Sequence, residues 1–320
     1  MASGLQQTAE NPAKVLESAW RKLPAQYRMP QQPPTLAEAQ AYCRQLAESH
    51  YENFHVATWF LPQALRPHFQ SIYAYCRISD DLGDEVGDAQ QSLALLNFWN
   101  DELDACYQGV TRHPVFVALA ETIRVCNIPK APFADLLVAF RQDQTVTRYR
   151  TMQDVFGYCR NSANPVGHLV LYVCGYREPD LFALSDFTCT ALQLANFWQD
   201  VRQDYLRGRI YLPLEDMQRF SVTEHQIRDR RFSSEFRNLM EHEVAFAQKL
   251  FDAGMPLLHR VDNEIAVDIA LFSRGGQEIL RAIRNQGYDV LRSRPVISKP
   301  RKAALLLRAF LARLTARQAA

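Results

Sequence analysis

Two acidic stretches carry the residue types that could do chemistry. From Gln193 to Pro213 no proline or glycine interrupts the chain before Gly208, so the spacing predicts a helix with a stop signal at its end. At helical spacing Gln193, Asn196, Asp200 and Asp204 fall on one face. Asn196, Asp200 and Asp204 offer the oxygen ligands that a hard divalent cation takes. Extended backwards, this face meets Cys189 and Asp186, with Phe187, Leu192 and Leu194 close by. From Phe69 to Glu85, Phe69, Tyr73, Cys76, Asp80 and Asp84 share a face, so the apolar stripe runs straight into its acids. A surface helix keeps its acids opposite the stripe, and like charges four apart destabilise an exposed helix. Two helices that each aim paired carboxylates toward the core predict a site that holds cations between them. Arg77, one turn before Asp80, adds a fixed positive charge of the kind that suits phosphate.

The elements that must position these acids read as helices throughout. The chain has 320 residues and 48% hydrophobic content, enough for a large core, and no low-complexity or Gly/Ser-rich linker divides it. Residues 1–34 read as a mostly irregular arm, broken by Pro24, Pro30, Pro33 and Pro34, with one short helix near Val15–Leu23. Thr35 with Glu38 three residues later forms a capping box that opens a helix to about His50. Further helical patterns cover Arg66–Glu85, Gln90–Tyr107, Pro114–Cys126, Phe133–Asp143 and Met152–Cys174, the last broken by Pro165. Helices at about Pro179–Asp204, Thr223–Arg231, Ser234–Gly254 and Glu264–Asn285 follow, then a basic one from Lys299. No alternating strand pattern is found. The expectation is an all-α architecture, with residues 35–320 as one helical bundle.

Composition narrows the function classes. A net charge of +1 gives no electrostatic case for nucleic acid. Seven scattered cysteines without CxxC spacing argue against disulfides and zinc, and fit a reducing cytoplasm. The polar N-terminus lacks the pattern of a secretory signal.

The two acidic stretches and their flanks resemble the squalene and phytoene synthase family. The first family motif corresponds to Arg77, Asp80, Asp81 and Asp84; the second to Gln193, Asn196, Asp200 and Asp204, followed by Arg209 and Tyr211. His50 before an aromatic segment ending in Leu61-Pro62, Tyr158 in Phe156-Gly157-Tyr158-Cys159, and Tyr288 after Asn285-Gln286-Gly287 complete the match, which spans roughly residues 40–310. The resemblance implies the isoprenoid synthase fold, with a central cavity, and magnesium-dependent ionisation of a prenyl diphosphate. It implies Asp80, Asp84, Asn196, Asp200 and Asp204 as magnesium ligands. Arg77, Arg209, His50, Gln193, Tyr158, Tyr211 and Tyr288 become candidates to bind the diphosphate. Aromatic faces stabilise the carbocation left behind, and Phe54, Trp59, Phe60, Phe197 and Trp198 are candidates for that wall.

Within the family, three features resemble the bacterial hydroxysqualene synthases, which act on presqualene diphosphate and let water capture the cation. These are Ser162-Ala163-Asn164-Pro165-Val166-Gly167, Gln199 where the head-to-head synthases usually carry Arg, and Ser49-His50-Tyr51-Glu52-Asn53-Phe54. The resemblance to this branch implies hopanoid-type squalene biosynthesis, no NADPH, and handover to other enzymes of that pathway. A head-to-head synthase joining two prenyl diphosphates is the alternative. A non-catalytic helical assembly factor is the remote one, and retention of every motif ligand argues against it. Asn164, with donors and an acceptor beside the proline break, is a candidate to hold the attacking water; the other reading is a cap for the restarted helix. The basic C-terminal helix is too charged to span a bilayer. It reads either as packed on the bundle or as lying on the inner membrane surface.

Overall fold

The computed structural model describes residues 12–49 and 62–318. Among them every regular element is helical, and the sole extended pairing is an isolated parallel bridge between Arg148 and Ile210. In chain order the helices are α1 (Pro12–Lys22), α2 (Leu36–Ser49), α3 (Arg66–Asp84), α4 (Ala89–Tyr107), α5 (Pro114–Cys126), α6 (Ala131–Gln142) and α7 (Met152–Ser162). They continue with α8 (Asn164–Val173), α9 (Pro179–Leu206), α10 (Leu214–Arg219), α11 (Glu224–Arg228), α12 (Ser234–Gly254), α13 (Asn263–Asn285) and α14 (Lys299–Gln318). His50, Phe54, Trp59 and Phe60 lie outside the described residues.

Local chemistry sets these boundaries. The Thr35 N–H donates to Glu38 at 2.8 Å and the Glu38 N–H returns to Thr35 Oγ1 at 3.4 Å, the expected capping box. Pro165 splits the pattern at Ala163, where φ is −107° and ψ −47°, and yields α7 and α8. The helix expected over Thr223–Arg231 is shorter, Glu224–Arg228, because Arg230 turns to a positive φ of 54°. The short α10 was not anticipated; it follows directly from Pro213, which cannot extend a preceding helix but starts one well.

Two large apolar cores form, with a smaller cluster of Leu171, Leu181, Leu257, Ile265 and Ile269 beside them. One gathers α1 to α6 with part of α8 around Trp99, Tyr75, Phe116 and Phe133; the other gathers α7 and α9 to α13 around Trp198, Phe236 and Phe251. The acidic helix α3 belongs to the first core and α9 to the second. They are joined chiefly through α6 and α8, which pack on one another; both touch α3, and α8 also packs on α9. Gly167 is why α8 can lie so close to α9: a Cβ there would sit 2.3 Å from Ser185 Oγ and 2.5 Å from Cys189 Sγ.

The N-terminal arm is fastened to this arrangement. Ala19, Leu23 and Tyr27 are buried, and Tyr27 donates its hydroxyl to Asp81 Oδ2 at 2.6 Å. Asp81 also receives Nε of Arg77 at 3.1 Å, and an Arg77 Nη on its other oxygen. A buried carboxylate needs such partners. All seven cysteines are free thiols.

Tyr27→Phe should therefore cost about 1.5–3 kcal/mol in urea unfolding, the range for a hydrogen bond to a charged group. A loss below about 0.5 kcal/mol would show that Arg77 alone satisfies Asp81.

Candidate active site

The long helix α9 presents Gln193, Asn196, Asp200 and Asp204 in sequence toward its C-terminal end. Asn196 is exposed, and Gln193, Asp200 and Asp204 are half-buried. The lower part of the same face does something else. Asp186 pairs with His168 Nε2 at 2.7 Å, and Cys189 packs against Gly167. At 1.5 Å per residue Asp186 lies about 21 Å down the axis from Asp200, so that end of the stripe is a helix–helix seam.

After α9 the chain turns at Gly208 (φ 84°) and is strapped to residues 147–150: the Ile210 N–H donates to Thr147 O and the Leu214 N–H to Tyr149 O, each at 2.9 Å. The strap fixes Arg209. Its N–H donates to Asp204 O at 2.8 Å, while its guanidinium reaches Asp84 Oδ1 at 2.9 Å and Asp143 O at 3.4 Å. One arginine thus touches the end of the first acidic motif and the end of the second. The two motifs meet within the length of that side chain. Burial opposes the charge on Arg209, but Asp84 and Asp143 more than offset this and hold the guanidinium protonated.

Arg294 holds one acid of the second motif. Its Nε and Nη2 grip Asp200 at 2.5 and 2.8 Å, and Nη2 also reaches Gln199 Oε1 at 3.2 Å. Gln199 is buried and donates to Pro295 O at 2.6 Å, so it anchors the bend before α14. Burial, then repulsion from Asp200, pushes the Asp204 carboxyl up to about 7.

The remaining expected residues sort by what they touch. Asp80 is half-exposed, with an Arg77 Nη at 4.0 Å. Arg77 itself is committed mainly to Asp81. Tyr158 and Tyr211 are buried with Tyr149 and Phe197, and Phe197 stacks on Tyr211 at 3.7 Å between centroids. The Tyr158 hydroxyl donates to Asp143 Oδ2 at 2.8 Å. Tyr288, at φ 67°, packs its half-buried ring against the second core. Asn164 is buried at the first turn of α8 and makes no cap bond; its Oδ1 accepts from Thr190 Oγ1 at 3.0 Å. Thr190 lies about 9 Å below Asn196 along α9.

Sequence reasoning missed Asp143 and Arg294. Burial raises Asp143 to about 6, against the pull of Arg209 and the Tyr158 hydrogen bond. It lies just past the end of α6 and Arg294 in a bend, where no periodicity marks either. The proline after Arg294 was the one available signal.

The chain matches the squalene/phytoene synthase family over residues 47–301. It belongs to that family. A phytoene synthase of Arthrospira platensis is 31% identical over 290 residues, covering 86% of this chain and 93% of that one. A crystal structure of the squalene synthase HpnC from Alicyclobacillus acidocaldarius is 44% identical, covers 84% of this chain and 98% of that one, and superposes with a TM-score of 0.76. A dehydrosqualene synthase solved with a ligand is 27% identical, with a TM-score of 0.78 and coverage of 86% and 96%. The all-α isoprenoid synthase architecture expected from the motifs is thereby established.

The acids fit magnesium in a particular way. Among the described residues no three acidic, His or Cys side chains converge on one point. Magnesium suits such sparse sites: it takes one or two carboxylates and completes its octahedron with phosphate oxygens and water. The raised Asp204 carboxyl records the electrostatic strain that a cation would relieve. An acid raised this way favours the folded state most below its ordinary value near 4, and that advantage is lost as pH rises through about 7. Magnesium should therefore raise the melting temperature more at pH 8 than at pH 6, where a proton competes for Asp204. Asp204→Asn should flatten that difference; an equal shift at both pH values in the unsubstituted chain would remove Asp204 from the ligand set.

Proposed function

We propose that this chain is a hydroxysqualene synthase, a carbon–oxygen lyase acting on a diphosphate, which turns presqualene diphosphate and water into hydroxysqualene and diphosphate. The observation that carries this reading is Gln199. Where the head-to-head synthases usually have an arginine, this chain has a neutral amide buried between Arg294 and Pro295. A synthase that condenses two prenyl diphosphates must hold two highly charged groups. Here position 199 is neutral and the cation beside Asp200 is Arg294, from outside the motif, which suits a single diphosphate. The 44% identity to the HpnC squalene synthase, against 31% and 27% to the phytoene and dehydrosqualene synthases, supports the same branch.

Asp80, Asp84, Asn196, Asp200 and Asp204 would hold magnesium, which neutralises the leaving diphosphate. Arg209 and Arg294, each already poised on a motif acid, are placed to follow the diphosphate as charge develops. Gln193, Tyr158, Tyr211 and Tyr288 line the approach in this reading, with Arg77 fixing the motif through Asp81. His50 and Phe54 keep the roles the family resemblance implies. Ionisation breaks the C–O bond, the cyclopropane opens, water forms the new C–O bond and gives up one proton. The balance needs no NADPH. The stacked Phe197 and Tyr211 rings offer a face to the cation.

Asn164 with Thr190 is a buried polar pair about 9 Å along α9 from Asn196, and we assign it to the attacking water. Thr190 takes the Asn164 carbonyl, so the amide N–H groups are the ones left to hold that water. We further place the activity in the cytoplasm, with the water-insoluble product handed to the next enzyme of hopanoid-type squalene biosynthesis.

Incubation of the pure protein with presqualene diphosphate and magnesium, without reductant, should yield hydroxysqualene. Products made from farnesyl or geranylgeranyl diphosphate alone would instead favour the head-to-head reading, which the phytoene synthase relatives support. Asp80→Asn and Asp200→Asn should each lower turnover on the order of 10²–10³-fold while the helical circular dichroism stays unchanged. Asn164→Ala and Thr190→Val should both raise the share of rearranged or eliminated products while diphosphate release continues. Hydroxysqualene as the undiminished product of both variants would place the water elsewhere.

A further inference from the structure

The C-terminal helix α14 is packed inside out. Its inward contacts are polar: Arg301 pairs with both oxygens of Glu278 at 2.7 Å, and the buried Arg313 reaches Asp268 at 3.3 Å and Glu264 at 3.2 Å, all on α13. Between these anchors only small or half-buried side chains, Leu305, Ala309 and Ala312, face the bundle, over a cleft of about 380 Å³. Its other large apolar side chains face outward. Leu307, Phe310, Leu311 and Leu314 are 58, 51, 52 and 45% exposed, at the i, i+3, i+4, i+7 spacing of one continuous row. A helix against a bundle buries its apolar stripe; α14 exposes its own, and two ion-pair anchors, Arg301 and Arg313, fix that orientation.

We propose that α14 docks this protein on an anionic lipid surface. Charge complementarity selects that occupant. The helix carries Lys299, Arg301, Lys302, Arg308, Arg313 and Arg317 and no acidic residue, in a chain whose overall balance is only +1. On the helical wheel Arg308 borders the apolar row on one side and Lys299 on the other, and both are exposed. An apolar row with basic borders is the arrangement of an interfacial helix, whose rings and leucines enter the acyl boundary while its cations meet lipid phosphates. A second copy of the chain is a poorer fit: a stable interface buries about 800 Å² per partner, and four half-exposed side chains fall well short. Among the described residues no helix is long and apolar enough to cross a membrane, so the attachment is peripheral. The proposal does not depend on which prenyl diphosphate the site takes.

Co-sedimentation of the full chain with phosphatidylglycerol-containing vesicles tests it. At low salt the unsubstituted protein should bind these vesicles at least tenfold more tightly than pure phosphatidylcholine vesicles, and 0.5 M salt should weaken the binding. Leu307→Glu with Phe310→Glu should reduce binding at least tenfold, as should Lys299→Gln with Arg308→Gln. Both variants should keep the circular dichroism, melting temperature and magnesium-induced melting shift of the unsubstituted chain, because these side chains already face outward and lie away from the acid motifs. Equal binding by the Leu307/Phe310 variant, or no preference for anionic vesicles, would overturn the proposal. A solution dimer that the same variant dissociates would overturn it in favour of a second copy.

Discussion

Gathering carboxylates at one end of an apolar bundle is electrostatically unfavourable, and the structure depends on how arginines manage it. Arg209 spans the gap between Asp84 and the end of α9, and Arg294 closes on Asp200. Each guanidinium forms charge-assisted bonds to its acid. Without them like charges on α3 and α9 would push the two cores apart. The residual strain is visible at Asp204, whose carboxyl holds its proton to about 7. The acids are thus kept close but incompletely neutralised, which leaves the site negative charge with which to attract cations.

The scaffold serves this tension. The two acidic helices sit in different cores, joined mainly through α6 and α8, so the space between them is not consumed by direct packing. The Pro165 break lets α8 start afresh against α9, and Gly167 lets it approach closely. The strap of residues 209–214 on 147–150 then sets the one side chain that crosses the gap.

Most of the helices were legible in the sequence because their signals are local: the capping box at Thr35, the proline at 165, the stripe of Phe69, Tyr73, Cys76, Asp80 and Asp84. The site was legible where it follows helical spacing and illegible where it does not. Asp143 and Arg294 reach it from beyond helix ends, and only the folded chain brings them there. Arg77 was read as a phosphate ligand from its charge. Its main partner is Asp81, the one motif acid whose neighbour, Tyr27, comes from the arm far upstream. Extended backwards from Gln193, the stripe on α9 meets Cys189 and Asp186, and there it becomes a seam with α8, because Gly167 lacks the side chain that would have kept the helices apart. The orientation of α14 was left open between two readings, since a helical wheel does not say which side ion pairs will pin.

The cysteines bear on a different property. Burial raises all seven thiols, to about 12 at Cys43, Cys76, Cys106, Cys159 and Cys174, about 11 at Cys189, and upward also at Cys126. Only the thiolate attacks oxidants and alkylating agents, so burial slows the reactions of these side chains at neutral pH. Their odd number and lack of pairing follow from use as small apolar fillers. The reducing compartment inferred from them is therefore not something their slow reactivity requires.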